Sequence, residues 1–210
     1  IYFVTKIKKD CKDICQYPIF YIPSVTDYRI RTRKNNWIQN LDNLDDLINK
    51  KKYIFSFIGS LDTEINRKKL LIYKDYKEDI LVDTWEWWKH LPRKDMHGER
   101  KVFYINILEQ SIFTLCPYGN GPSSIRFIDS IISGSIPILI EDYSFPFNED
   151  YNFAIKIKFD QINKIEEIVR SIISNKDDLK NRFHLMNNFI EKYWNKKLYE
   201  DNIPDKNNLI

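Results

Sequence analysis

From residue 53 onward, short apolar runs alternate with amphipathic stretches, and this alternation limits most narrowly what the chain can form. The short apolar runs cover residues 53–58, 80–82, 112–116, 136–140 and 153–157 and read as strands. Between them, residues 64–73, 102–110, 123–133, 161–174 and 176–194 read as helices. Ile65, Leu70 and Leu71 form the apolar set of the first, and Ile125, Ile128, Ile131 and Ile132 that of the third. Gly134 stands where a glycine ends a helix in the left-handed conformation. Strand, helix, strand in steady succession calls for parallel pairing with crossovers. The expected class is α/β, a Rossmann-like parallel sheet flanked by helices.

Residues 1–52 stand outside this pattern and read as an irregular N-terminal segment, extended over 19–25 and helical over 41–49. The Rossmann-like domain is expected over 53–194, with a loosely held polar tail over 195–210. The chain opens on Ile1 without a secretory leader and reads as a fragment, with residues 1–52 the remnant of or linker to an N-terminal domain, and a missing N-terminal domain or partner subunit is the corresponding expectation. With 43% hydrophobic and 30% charged residues and a mean hydropathy of −0.49, the chain is neither disordered nor membrane-embedded. No apolar run is long enough to span a bilayer. A net charge of +3 leaves no footprint for nucleic acid.

Cys11, Cys15 and Cys116 are too few for a disulfide framework, and His90, His97 and His184 follow no zinc spacing, so no metal is expected. None of the 19 Asn begins a glycosylation sequon. Both features favour a cytoplasmic setting, with a Golgi lumen the alternative for a chain anchored upstream.

The stretch richest in chemistry is Leu115-Cys116-Pro117-Tyr118-Gly119-Asn120-Gly121-Pro122-Ser123-Ser124-Ile125-Arg126-Phe127-Ile128-Asp129. A strand ends, a Gly-rich loop follows, and a helix begins with hydroxyl residues, so free N–H groups and a positive helix end can face an anion. Arg126 can place a guanidinium against the same phosphate, and Asp129, on the same helix face, can accept from sugar hydroxyls. The loop lacks the Gly-Lys-Ser/Thr ending of a Walker loop and the third glycine of a dinucleotide fingerprint. A plain βα loop with a Ser N-cap and an i, i+3 surface pair is the competing reading.

Residues 111–140, closing on Gly134-Ser135-Ile136-Pro137-Ile138-Leu139-Ile140, resemble the signature of exostosin-type glycosyltransferases, family 47. Pro146-Phe147 downstream, and Phe55-Ser56-Phe57-Ile58-Gly59 followed by Arg67 upstream, extend the resemblance over about residues 53–175. It implies the C-terminal, donor-binding half of a GT-B enzyme, in which two Rossmann-like domains face each other across a cleft. Ser123, Ser124 and Arg126 would bind the diphosphate of a nucleotide sugar and Asp129 its ribose, with Gly59 and Arg67 at the same cleft. Tyr118, Gly119 and Gly121 would line the loop; Tyr118 stands where the family often has Arg, and Asp129 where Glu is more usual.

The implied reaction is inverting transfer from a UDP-sugar to a glycan acceptor, without cofactor or metal. The chain contains no Asp-x-Asp. Arg126 would stabilise the leaving group, and no catalytic base can be named, because such a base commonly sits on the N-terminal domain. The alternative is a catalytically inactive nucleotide-sugar-binding partner subunit.

Glu141 and Asp142 follow a strand end, where carboxylates can reach donor sugar or acceptor. Trp85, Trp87 and Trp88 can stack on sugars but more often supply buried area; His90 and His97 are acid/base candidates near them. The basic run Arg29 to Lys34 reads as a solvated loop.

Overall fold

A computed structural model describes residues 43–61, 65–84, 96–117, 124–140 and 151–193. Five apolar runs become strands: β1 Tyr53–Gly59, β2 Ile80–Thr84, β3 Ser111–Pro117, β4 Ile136–Ile140 and β5 Ile155–Ile157. They form one sheet in the order β2-β1-β3-β4-β5, with every neighbouring pair parallel. All residues of β3 and β4 are buried, which explains why those runs show no polar alternation. Pro137 precedes the β4–β5 ladder, which starts at Ile138↔Ile155, so its missing N–H leaves that ladder intact. The expected Rossmann-like α/β class is the class observed.

The α-helices are α1 Leu44–Asn49, α2 Met96–Glu109, α3 Ile125–Ile132, α4 Ile165–Ser174 and α5 Lys176–Tyr193. Helix α2 packs Tyr104, Ile105, Ile107 and Leu108 with Tyr53 and Ile58 of β1 in a separate apolar cluster. The larger core joins Phe127, Ile128, Ile131 and Ile132 of α3 to Phe55 and Phe57 of β1, Val169 of α4 and Phe183 and Phe189 of α5. Helix α3 ends as its sequence requires. Gly134 adopts φ 70°, its N–H donates to Ile131 O and that of Ser135 to Ser130 O, the paired bonds of a Schellman motif.

Four elements differ from the sequence reading, each for a visible reason. Residues 64–73 form a 3-10 helix, Ile65–Tyr73, rather than an α-helix. Its buried members are Arg67, Leu70 and Tyr73, spaced by three, and three residues per turn stacks them on one side. Leu71, expected inside, is 40% exposed. The fifth strand begins at Ile155 rather than 153, because Tyr151 and Phe153 turn out of the ladder to pack their rings on Phe127 and Phe189. Residues 161–174 divide into a 3-10 helix Phe159–Lys164 and α4. Helix α2 begins at Met96, ahead of the expected 102.

Helix α1 falls within the expected 41–49, and its Leu44 and Leu47 enter the main core. Just beyond it, Lys51 Nζ donates to Glu109 O, Ser111 O and Gly134 O at 2.9, 3.0 and 2.7 Å. One ammonium thus joins the end of α2, the start of β3 and the α3–β4 turn, at the end of the sheet opposite its carboxyl edge. The readings placed on residues 1–42, the Trp stretch with His90, and the tail 195–210 lie outside the described residues, as does the side chain of His97. No described helix is long and apolar enough to cross a membrane.

Candidate functional site

Strand β1 leads to β2 on one side and β3 lies on its other side, so the strand order reverses between β1 and β3. Open α/β sheets bind ligands at the carboxyl ends of such strands. Here the two strands pair from Tyr53↔Ser111 to Ser56↔Thr114, whereas β1–β2 pairing reaches Gly59↔Thr84 and β3–β4 pairing reaches Pro117↔Ile140. The last turns of β1 and β3 are joined instead by two arginines.

Arg67, 6% exposed, comes from the 3-10 helix after β1. Its Nη1 donates to Ser60 O at 3.0 Å and its Nη2 to Pro117 O at 3.1 Å. Arg126, in the first turn of α3 after β3, crosses in the opposite direction. Its Nη2 donates to Ile58 O at 2.6 Å, and its Cζ stands 4.5 Å from the centre of the Phe57 ring. A partly desolvated cation on a ring face gains about 1–2 kcal/mol. Arg126 Nε is buried and has no hydrogen-bond partner among the described residues. A buried N–H of a charged group is costly to leave unmatched, and an anionic oxygen would match it.

Gly59 belongs to the same arrangement, since a Cβ there would stand 2.4 Å from Arg126 Nη2. Ser124 is the N-cap of α3 in extended conformation, but its side chain makes no capping bond, so the hydroxyl is not spent on the helix.

Asp129 lies elsewhere. It is 2% exposed, and its Oδ2 accepts from the Tyr104 hydroxyl at 3.3 Å, beneath α2 rather than on an open face. Burial is the main cause that holds the Tyr104 phenol far above its usual range; the Asp129 charge adds to it and Arg126 opposes it. Cys116, fully buried, is pushed up to about 12 by burial first, against the opposing field of Arg126. It is therefore a neutral thiol at physiological pH, without nucleophilic or ligand character.

Of the residues singled out from sequence, the structure thus brings together Gly59, Arg67, Ser124 and Arg126 at the β1/β3 edge, and places Asp129 behind them. Tyr118, Gly119, Gly121, Ser123, Glu141 and Asp142 lie outside the described residues. Phe57 and Tyr104 were not anticipated as part of the site. Phe57 is one apolar residue in an apolar strand, and Tyr104 meets Asp129 across 25 residues, so only the fold reveals either partnership.

Comparison with known proteins is consistent with this geometry. The family model for the exostosin GT47 domain matches residues 22–172. A rice protein, Oryza sativa subsp. japonica, named as a probable glucuronosyltransferase, is 29% identical over 101 residues, 46% of this chain and 24% of its own length. Two Arabidopsis thaliana proteins named as probable beta-1,4-xylosyltransferases are 38% identical over 67 residues and 34% over 89, or 32% and 42% of this chain. Those stretches cover 16% and 21% of the Arabidopsis proteins, so the matched part spans a quarter or less of these relatives.

Proposed function

The chain belongs to the exostosin GT47 family, and from that premise we propose that its sheet edge binds the diphosphate of a nucleotide sugar, as the donor half of a glycosyltransferase. The supporting observation is the pair of guanidinium groups at the switch point, one of which keeps a buried Nε unmatched among the described residues. Glycosyl transfer separates a sugar from a nucleoside diphosphate, and negative charge grows on the leaving oxygen as the bond breaks. A fixed guanidinium and the N-terminus of α3 meet that charge without reorganising.

The two arginines divide the work. Arg67 spends its fork on two backbone carbonyls, so it holds the walls apart at a set distance and adds positive potential. Arg126 is the direct phosphate partner, with Ser124 at the start of α3. Asp129 reaches a ribose only after whatever covers its carboxylate moves, and with Tyr104 it more readily supports the base of α3. The relatives' names extend the proposal to a glucuronosyl or xylosyl group as the sugar transferred; a UDP carrier, inversion at the transferred sugar, a glycan hydroxyl as acceptor and the absence of a metal or cofactor complete the proposed reaction.

Isothermal calorimetry with UDP, GDP and ADP tests the site. UDP is expected to bind in the millimolar range or tighter, and Arg126→Ala to weaken it about tenfold or more, from the loss of about 1.5 kcal/mol for one charge-assisted bond. An unchanged affinity in that variant would falsify the assignment. Binding without any transfer in the complete protein would favour a partner subunit that has lost catalysis.

A further inference from the structure

Arg126 reaches its place only because of what β1 offers at three consecutive positions. The Phe57 ring lies under the guanidinium, the Ile58 carbonyl accepts from Nη2, and Gly59 contributes no side chain. Gly59 does not have positive φ, unlike Gly134, so backbone conformation does not call for a glycine there. Space does. An added Cβ would meet Nη2 at 2.4 Å, which forces that end of the guanidinium away from Ile58, and would press on the Phe57 ring at 3.2 Å. The ring and the carbonyl together hold the guanidinium against β1, leaving the buried Nε as an unspent donor among the described residues.

We propose that Phe57 and Gly59 are positioning residues of the phosphate site, acting on the nucleotide only through Arg126. The proposal rests on the nucleoside-diphosphate reading above. A competing account exists for each residue: Phe57 is fully buried and could be core alone, and Gly59 could simply end a strand. The accounts differ in coupling. If both residues act through Arg126, their effects on binding disappear when Arg126 is absent; if they only support the fold, they do not.

The experiment is UDP affinity by calorimetry on the 210-residue chain carrying Phe57→Leu, Gly59→Ala or Arg126→Ala and on both double variants, with urea denaturation of each. Phe57→Leu keeps an apolar side chain and removes the ring face, and is expected to weaken UDP about three- to tenfold. Gly59→Ala displaces the guanidinium and is expected to weaken it about tenfold or more, as Arg126→Ala does. In the Arg126→Ala background each adds less than about twofold, whatever it does to the urea midpoint. Equal losses in both backgrounds, or no loss from either single substitution, overturn the proposal. Failure of the unsubstituted chain to bind UDP, GDP or ADP instead overturns the nucleotide reading on which it rests. Should Gly59→Ala not fold, the Phe57→Leu cycle decides alone.

Discussion

Arg67→Met is the perturbation whose consequence follows most directly from the geometry. Arg67 is 6% exposed, and its guanidinium donates to Ser60 O and Pro117 O at 3.0 and 3.1 Å. A hydrogen bond from a charged donor contributes about 1.5–3 kcal/mol, so two contribute about 3–6 kcal/mol. Against this, methionine avoids the cost of burying a cation, which recovers part of the loss. The expected net destabilisation is about 2–4 kcal/mol. For a chain of this size each kcal/mol lowers Tm by about 2–4 °C, so a fall of about 5–15 °C is expected.

Arg67→Lys separates charge from shape. An ammonium lacks the planar fork that spans two carbonyls, so this variant should lose about half as much as methionine does. Urea denaturation with an unchanged m-value, followed by calorimetry with UDP on the folded variants, is the assay. UDP affinity should fall less in Arg67→Met than in Arg126→Ala, because the fork of Arg67 is committed to backbone. Stability within about 0.5 kcal/mol of the unsubstituted chain together with a large loss of UDP binding would refute the reasoning. Arg67 would then be a ligand contact and not a clamp.

Other consequences can be tested in the same way. Arg126→Ala and the Phe57 and Gly59 cycles are read by calorimetry with UDP, as set out above. Lys51→Met removes three carbonyl contacts at the far end of the sheet; thermal denaturation should show a loss of about 2 kcal/mol while UDP affinity stays within about twofold. Glu166 bonds to Lys77 and Arg170, and the Lys77 hydrogen bond first, then that of Arg170, hold its carboxyl below the usual 4.5. A lowered carboxylate contributes stability that is complete above its ordinary value and is lost as pH falls through the lowered one. Glu166→Gln should therefore lower stability above pH 4.5 and flatten its decline below that pH, by a small amount because solvent screens the pair; equal slopes in urea midpoint against pH would show the pair to be idle.

Strands were legible because a sheet buried on both faces writes itself as unbroken apolar runs, and β3 and β4 have no exposed residue to blur the signal. The stop of α3 was legible because only the local chain is involved: Gly134 and the two N–H groups around it complete the motif. The helix over 64–73 was misread in kind because Arg67, Leu70 and Tyr73 fit an α-helical stripe almost as well as a 3-10 stack. A polar residue among the buried set decided between them, and polarity alone pointed it outward. In the site, Gly59, Arg67, Ser124 and Arg126 were named from loop chemistry and family resemblance, yet their division of labour was not. The proposed division depends on how many donors of each guanidinium meet backbone carbonyls, a matter of contacts 50 and 68 residues apart. Lys51 was invisible for the same reason, its three partners lying 58 to 83 residues away.

The crevice at the switch point arises from the backbone as much as from the arginines. The β1–β3 ladder ends at Ser56↔Thr114, and beyond it Pro117, the last residue of β3, offers its carbonyl to Arg67. Arg67, from the β1 side, bonds to the end of β3, while Arg126, from the β3 side, bonds to β1. Each arm crosses the gap that the other's strand leaves, so widening the crevice stretches both and closing it crowds both. Positive charge is thereby fixed at the edge before any ligand arrives, at a cost met during folding. On the proposed function, a leaving diphosphate at this edge would gain electrostatic stabilisation from charge that is already ordered.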